Sequence, residues 1–525
     1  MSTPAGALAD PSKETISLFL KTMANPDIRK AITLASGPQA YDLEPEVKSL
    51  FPVNCPLRNM VPRYFSKQRG DVQTHWQAVT AINTGNMPAV VNEGRRAGAV
   101  NTTFVSRTAK YATLGLEDSV TEEARLAAQS YDDPDARVVM NLIWALMIAE
   151  EQQIIGGNNS LAFGVTPTPT LSTVVPATGQ AASALTSGQT IYVEVAALSY
   201  EGYIRAINNA TAANTPVPTV SRTVVGSTLS AGPVSETVPG GVAQVSLEGS
   251  QAVTTTGNYI NATVAAVPGA VAYAWYVAAS STAERLYGIS TINSIQIGSV
   301  PTATQLVSAL PAADNSYYND TPTGIDGIIT VVNTAATAGT TKVMATGSPG
   351  VGTPLTANGT SITEVDQVLK SMWDKYQLGP DTMWVNSQQL SDISDKILGG
   401  GAAPLVRYNF DQTQQPFKQN ASMHQIATGY VVGYYLNRFG MGGPSLIDVK
   451  LHPYLPPGMI LMTTKRLPYP ASNVPDVMRI RGQLDYHEIA WGPFTRSAEY
   501  GVYCRETVQI FYPPAFAILS NVSSG

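Results

Sequence analysis

Residues able to do chemistry are few in this chain and widely scattered. Its four histidines are His75, His424, His452 and His487. None shares a metal-ligand spacing with another histidine or with a cysteine. His487-Glu488 is an adjacent His–carboxylate pair, but in a strand the two point to opposite faces. Glu150-Glu151 is an acidic pair. Neighbours on a helix point about 100° apart, so they do not converge on one substrate atom. One of them is expected to face water, the other to form an ion pair or cap a neighbouring element. The stretch Gly347-Ser348-Pro349-Gly350-Val351-Gly352 lacks the Gly-Lys-Ser/Thr of a phosphate loop and reads as a flexible loop. No Gly-x-Ser-x-Gly elbow occurs. Cys55 and Cys504 make no disulfide framework and read as reduced, buried thiols. Arg95-Arg96 with Glu93 could be a charged latch for another subunit or a solvated turn. Trp275, flanked by Tyr273 and Tyr276, could line a sugar site, with a sandwich core the favoured reading. Catalysis, cofactor binding and metal binding are therefore not expected.

Bulk composition narrows the class further. At 525 residues the chain has room for roughly two to four domains. Charged residues make up 13%, about half the usual quarter. The net charge is -6, and no long Lys/Arg run appears, which argues against direct, tight nucleic-acid binding. The first residues lack a basic segment followed by an apolar core, and no run of 18 apolar residues occurs. A signal peptide and a membrane span are not expected, and synthesis in a cytoplasm is.

These residues must be positioned by a particular succession of elements. Two short helices, over 11–23 and 26–34, read as an arm. The segment Pro56-Leu57-Arg58-Asn59-Met60-Val61-Pro62-Arg63 reads as extended and closed by prolines. Residues 72–82 and 102–114, rich in Thr, Val and aromatics, read as a long hairpin with a polar, glycine-rich tip. A hairpin this long cannot stabilise itself in water and needs a partner surface. A rod-like helix is expected over 119–155. Asp118 or Ser119 would cap it, Pro134 would interrupt it, and a left-handed Gly156-Gly157 would end it.

Composition then changes. From Pro167 to about residue 318 charges are rare, and strand candidates recur at 190–197, 258–265, 270–278, 285–289 and 294–297. They are separated by Gly/Pro turns, as in a β-sandwich. After about Gly324 mixed α/β patterning returns. It has a strand-like 325–332, a helix over 363–376 with Thr363 as its cap, a strand at 381–386, a helix over 387–398, and a β-rich end over 484–519. An α+β body carrying an inserted all-β domain follows from this order.

That order resembles the major capsid proteins of tailed bacteriophages, the Hong Kong ninety-seven type fold. The resemblance covers residues 1–165 and about 320–525. It rests on Glu150 to Asn159, on Pro380-Asp381-Thr382-Met383-Trp384-Val385-Asn386, on Leu451-His452-Pro453-Tyr454-Leu455-Pro456-Pro457-Gly458-Met459-Ile460-Leu461 and on Pro513-Pro514-Ala515-Phe516-Ala517. The inserted segment is similar to immunoglobulin or fibronectin domains at Tyr192 to Ala197 and Val267 to Tyr276.

The resemblance implies an N-terminal arm (1–55), an extended E-loop hairpin (56–116) and a P-domain spine helix (117–165). It further implies an outward-projecting immunoglobulin-like sandwich (166–318), an A-domain (319–450) and return strands (451–525). It implies self-assembly into hexamers and pentamers of an icosahedral head enclosing double-stranded DNA, synthesis in a bacterial host, and portal, scaffold or decoration proteins as partners. Candidate inter-subunit contacts are Arg58, Arg63, Glu93, Arg95, Arg96, Glu150 and Glu151. Some family members weld subunits through a hairpin lysine. Residues 72–107 contain none, so noncovalent assembly is expected. The competing reading is a surface adhesion protein whose sandwich binds glycans.

Overall fold

The computed structural model describes residues 49–524 except 67–69, 83–89, 99, 129–131, 209–216, 219–221, 224–234, 237, 320–323, 335–338, 349, 359–360, 400–432, 441–444 and 470–471. The arm helices expected over 11–34, and His424, lie outside the described residues. The chain divides into two units, Met1–Phe51 with Glu123–Pro134, and Pro52–Glu122 with Asp135–Gly525. The second unit holds all the described strands and, from Asp135 on, the long helix.

The Pro56–Met60 segment is a short helix, α1, where an extended chain was expected. Pro56 suits a first helical turn. The amide N–H groups of Leu57 and Arg58 donate to the Glu151 carboxylate, 2.9 and 2.6 Å away. The cap therefore comes from far along the chain, and local sequence cannot announce it. Strand β1 (Arg63–Phe65) follows, then β2 (Gln73–Ile82) and β3 (Thr102–Lys110), which pair antiparallel with one another.

Strand β4 (Ala112–Thr121) corrects the expected start of the rod. Asp118 and Ser119 do not cap a helix. They stay in a strand that pairs through Thr121 with a much later one, and that long-range ladder overrides local capping chemistry. A short helix, α2 (Glu122–Ala128), lies almost wholly in the first unit and has no buried residue. The rod is α3 (Pro134–Gly156), 23 residues, with Pro134 in its first turn. It is about 35 Å long at 1.5 Å per residue.

By length and mean hydropathy α3 could cross a membrane. Of its apolar window 33% is buried, mostly towards its C-terminal end. Leu142 and Leu146 sit with Val502 and Cys504 in one apolar cluster, and its last turns are buried. Gly156 and Gly157 do not take the expected left-handed conformation. They are small because partners press close. A Cβ on Gly156 would lie 2.3 Å from the Tyr200 ring, and one on Gly157 2.4 Å from the Ile325 carbonyl.

The sandwich forms from β5 (Thr170–Val174), β6 (Thr190–Leu198), β7 (Gly249–Ala252), β8 (Tyr259–Thr263), β9 (Ala272–Ala278), β10 (Arg285–Ser290) and β11 (Ser294–Ile297). One sheet has the order β11-β8-β5, the other β10-β9-β6-β7. A helix, α4 (Tyr200–Asn208), sits between β6 and β7 and was not read from the sequence.

Every residue of β9 is buried. Its Tyr273, Trp275 and Val277 pack with Ile191, Val193 and Ile260 inside the sandwich. Its Ala272, Ala274 and Tyr276 join Ile154, Ile155 and Leu455 in the main core. Alternation along one strand thus feeds two cores. One face of this sheet is shared with the body's core, and Tyr200 adds a hydrogen bond from its hydroxyl to the Tyr454 carbonyl at 2.8 Å.

The body continues with α5 (Ile328–Asn333), β12 (Thr340–Val343), α6 (Thr363–Tyr376), β13 (Thr382–Val385), α7 (Ser387–Gly399), β14 (Tyr434–Asn437), β15 (Ser445–Leu451) and β16 (Ile460–Thr463). The apolar run at 325–332 was expected to be a strand, and its second half is helix α5. A run buried on all sides has no periodicity to separate the two, and β-branched content biases the reading towards strand. In α6 the N-cap position is Ile362 and no side chain caps it, so Thr363 is not the cap. The apolar face of α6 buries Val365, Val368, Leu369 and Met372.

Strands β17 (Met478–Thr495), β18 (Ser497–Ile510) and β19 (Phe516–Ser520) close the chain. One sheet runs β12-β19-β16-β13-β15-β14, another β1-β17-β18-β4. The architecture is α+β throughout.

Candidate functional site

Among the described residues, ionisable groups gather at the C-terminal end of α3. Glu150 and Glu151 are both almost wholly inaccessible, at 1% and 0%, so neither faces water as expected. Their divergence on the helix sends them to different partners. Glu150 accepts from Arg58 Nε at 2.7 Å, from Arg63 Nη1 and from the Tyr486 hydroxyl. Arg63 Nη2 also reaches Glu506 at 2.5 Å. Both guanidinium groups lie over the Tyr486 ring, 5.3 and 5.4 Å from its centroid, a cation–π arrangement strengthened by desolvation.

Glu151 takes the two amides of α1 and, at 2.6 Å, His452 Nε2. His452 Nδ1 accepts the Tyr454 amide N–H at 3.2 Å. The neutral imidazole must therefore carry its proton on Nε2 and donate to Glu151.

Charge balance explains the electrostatics. Three carboxylates face two arginines here. Burial, then repulsion from Glu150, pushes the Glu506 carboxyl up to about 8 against the pull of Arg63. Burial also pushes the Tyr486 phenol well above its ordinary value, with Glu150 adding to it. Burial opposes the charge of Arg58, but Glu150 outweighs it and the guanidinium is held more firmly protonated than usual.

Cys55, His452 and Glu151 invite comparison with a thiol–imidazole–carboxylate triad, and the geometry rules it out. Both imidazole nitrogens are engaged, so His452 cannot take a thiol proton. Burial, reinforced by Glu151, pushes the Cys55 thiol up to about 11, the opposite of activation. Cys504 is likewise free, buried and pushed up.

A second carboxylate group lies on the sandwich. There burial, then Glu284 and Glu248, pushes Glu194 up to about 7. Among the described residues no group of three His, Cys, Asp or Glu side chains could hold a metal ion.

Arg58, Arg63, Glu150 and Glu151, expected between subunits, are thus brought together inside one chain. Glu93, Arg95 and Arg96 are not brought to them. They are exposed on the hairpin tip, where a turn joins the Arg95 amide to the Asn92 carbonyl. Sequence reasoning missed Tyr486, His452 and Glu506 as members of the cluster. Arg58, Arg63, Glu150 and Glu151 were singled out without their partners, and His452 only as part of the run from Leu451 to Leu461. Trp275 is fully buried, with its indole N–H donated to Ser290 at 2.8 Å, so it lines no sugar site.

Several exposed apolar side chains lie on the hairpin. Strands β2 and β3 form a two-stranded sheet of their own. Val79 and Phe104, direct cross-strand partners, are 54% and 64% exposed, and Ile82 is 61% exposed. At the root, Trp76 packs edge-on against Phe511 at 5.7 Å, and Gln483 Nε2 donates to the Asp71 carbonyl at 2.7 Å. Among the described residues these root contacts anchor the hairpin. On the β1-β17-β18-β4 sheet, Tyr503 packs against Gly115 and meets Trp491 edge-on at 6.3 Å beside Gly501.

No protein-family model and no curated protein matches the chain. Solved structures similar to it include "Capsid of native GTA particle computed with C5 symmetry", at TM-score 0.40 and 8% identity, covering 94% of this chain and 99% of that one. "The capsid of Myoviridae Phage XM1" is similar at TM-score 0.39 and 7% identity, covering 92% and 97%. A chain from "Mycobacterium phage Bobi" is similar at TM-score 0.39 and 8% identity, covering 95% and 99%. Each is a likeness in outline at very low sequence identity.

Proposed function

We propose that this chain is the structural subunit of a closed shell, a major capsid protein of the tailed-phage type. In this reading copies assemble noncovalently into hexamers and pentamers around double-stranded DNA, in a bacterial host, with portal and scaffold or decoration proteins as further partners. The observation that carries it is the hairpin. It presents an apolar cross-strand pair, Val79 and Phe104, to solvent on a two-stranded sheet that cannot be stable alone. Another copy of the chain is the partner that completes it.

The buried Glu150–Glu151 cluster supports the same reading. It locks α1, β1, α3, β17 and β18 together at one point, so that a load applied to the hairpin passes into the rod and the body. Low charge density favours close packing of like copies. The sequence patterns of a capsid protein, read in their order along the chain, supply the class.

Negative-stain microscopy of the expressed protein tests it. Uniform shells, rings or capsomers are expected. A population of stable monomers at all concentrations would count against assembly as the function.

A further inference from the structure

A cavity of about 490 Å³ lies at the root of the hairpin. Trp76, Arg107 and Lys110 line it from the hairpin, Thr507, Val508 and Ile510 from β18, and Asn159 and Asp326 from the segments beyond α3 and before α5. Strand β4 ends its pairing with β18 at Ala112–Glu506, so beyond that point β18 turns a free edge to the cavity.

Trp76 and Arg107 are direct cross-strand partners and therefore share a face. The indole Nε1 of Trp76 and the Nε of Arg107 are both buried without an acceptor. Two more arginines flank Thr507 on the neighbouring sheet. Arg481 is its cross-strand partner, and Arg505 lies two residues before it on the same face. Their Nε atoms are also buried without acceptors. Next to Arg481, Arg479 stacks over Phe511 at 4.6 Å, the ring that holds Trp76.

No ion pair is formed by any of these four arginines among the described residues. Burial pushes Arg107 below its ordinary value, with only the Tyr512 phenol opposing. The lining carboxylate, Asp326, already accepts the amides of Asn159 and Ser160 at 2.9 and 3.0 Å. The half-buried Arg107 guanidinium, offset only by a phenol, carries a desolvation cost that a bound anion would reduce.

We infer that this cavity binds a tetrahedral oxyanion of the phosphate class through the Arg107 guanidinium, with Arg481 and Arg505 supplying positive field. The guanidinium fork matches phosphate oxygens two at a time, and Asp326, the carboxylate among the described lining residues, is already engaged elsewhere. The volume leaves room for a substituent on the phosphate, so a phosphomonoester fits as well as the free ion.

Calorimetric titration of the full-length chain in phosphate-free buffer tests this. Inorganic phosphate, a nucleoside monophosphate and a short oligothymidylate would be added at ionic strength matched with chloride. Saturable binding of inorganic phosphate is expected. Arg107→Gln should weaken it about tenfold or more, the loss of one charge-assisted contact. Arg107→Lys should fall between the two, and Arg496→Gln should bind as the parent does. Circular dichroism and melting confirm that each variant folds. A nucleoside monophosphate binding as well as phosphate identifies a phosphomonoester site. Oligothymidylate binding only as its terminal phosphate allows points to small-ligand use, and tighter binding with length to nucleic-acid phosphates. Absence of saturable phosphate binding, or equal affinity in Arg107→Gln, would overturn the inference. So would binding by dissociated chains that vanishes on assembly, since a neighbouring copy's carboxylate would then be the occupant.

Discussion

Glu151 shows at the scale of one residue how this structure is held. Its carboxylate receives two backbone amides and an imidazole N–H in a fully buried setting. Glu151→Ala leaves those donors unpaired, and a loss on the order of 3–5 kcal/mol is expected, read by denaturant unfolding. Glu151→Gln keeps the shape and should cost less, though its amide cannot accept at both ends.

Glu506 makes a pH-dependent prediction. Its folded value of about 8 lies above that of an unfolded carboxylate, so the folded state holds a proton the unfolded state releases. Its contribution is fully present below the unfolded value, about 4.3, and is lost as pH rises through 8. Melting temperature should fall across that window in the parent. In Glu506→Gln the slope should flatten, and an unchanged slope would remove Glu506 as its source.

Single elements were legible where local pattern decides and illegible where distant pairing does. Helices α6 and α7, strand β13 and most sandwich strands follow from periodicity and turn residues. Helix α1 does not, because its cap is Glu151, nor does β4, because its partner is β18. Arg58, Arg63, Glu150 and Glu151 were singled out from their types and positions. That they close on one another inside a chain was not readable, since nothing local pairs residues so far apart.

The hairpin carries the element-scale prediction. Phe104→Glu or Val79→Glu changes an exposed site, so the isolated chain should keep its stability to within about 0.5 kcal/mol. Assembly, followed by light scattering, should be lost. The sandwich carries another. Ala272, Ala274 and Tyr276 cover Ile154 and Ile155, so removing residues 167–318 should prevent folding of the remainder, assayed by solubility and circular dichroism. A folded, soluble remainder would show that the shared face is dispensable.

For the whole molecule, assembly is the claim on which the rest depends. Covalent welding is not expected, because residues 72–107 lack lysine. Denaturing gels of assembled particles should show a single band at 55.6 kDa, and a ladder would contradict this. Electron cryomicroscopy of the assembled protein goes to the centre of the account. The hairpin should lie against a second copy, with Phe104 and Val79 withdrawn from solvent at that contact. A reconstruction in which both side chains stay in water, or a chain that remains monomeric throughout, would contradict it.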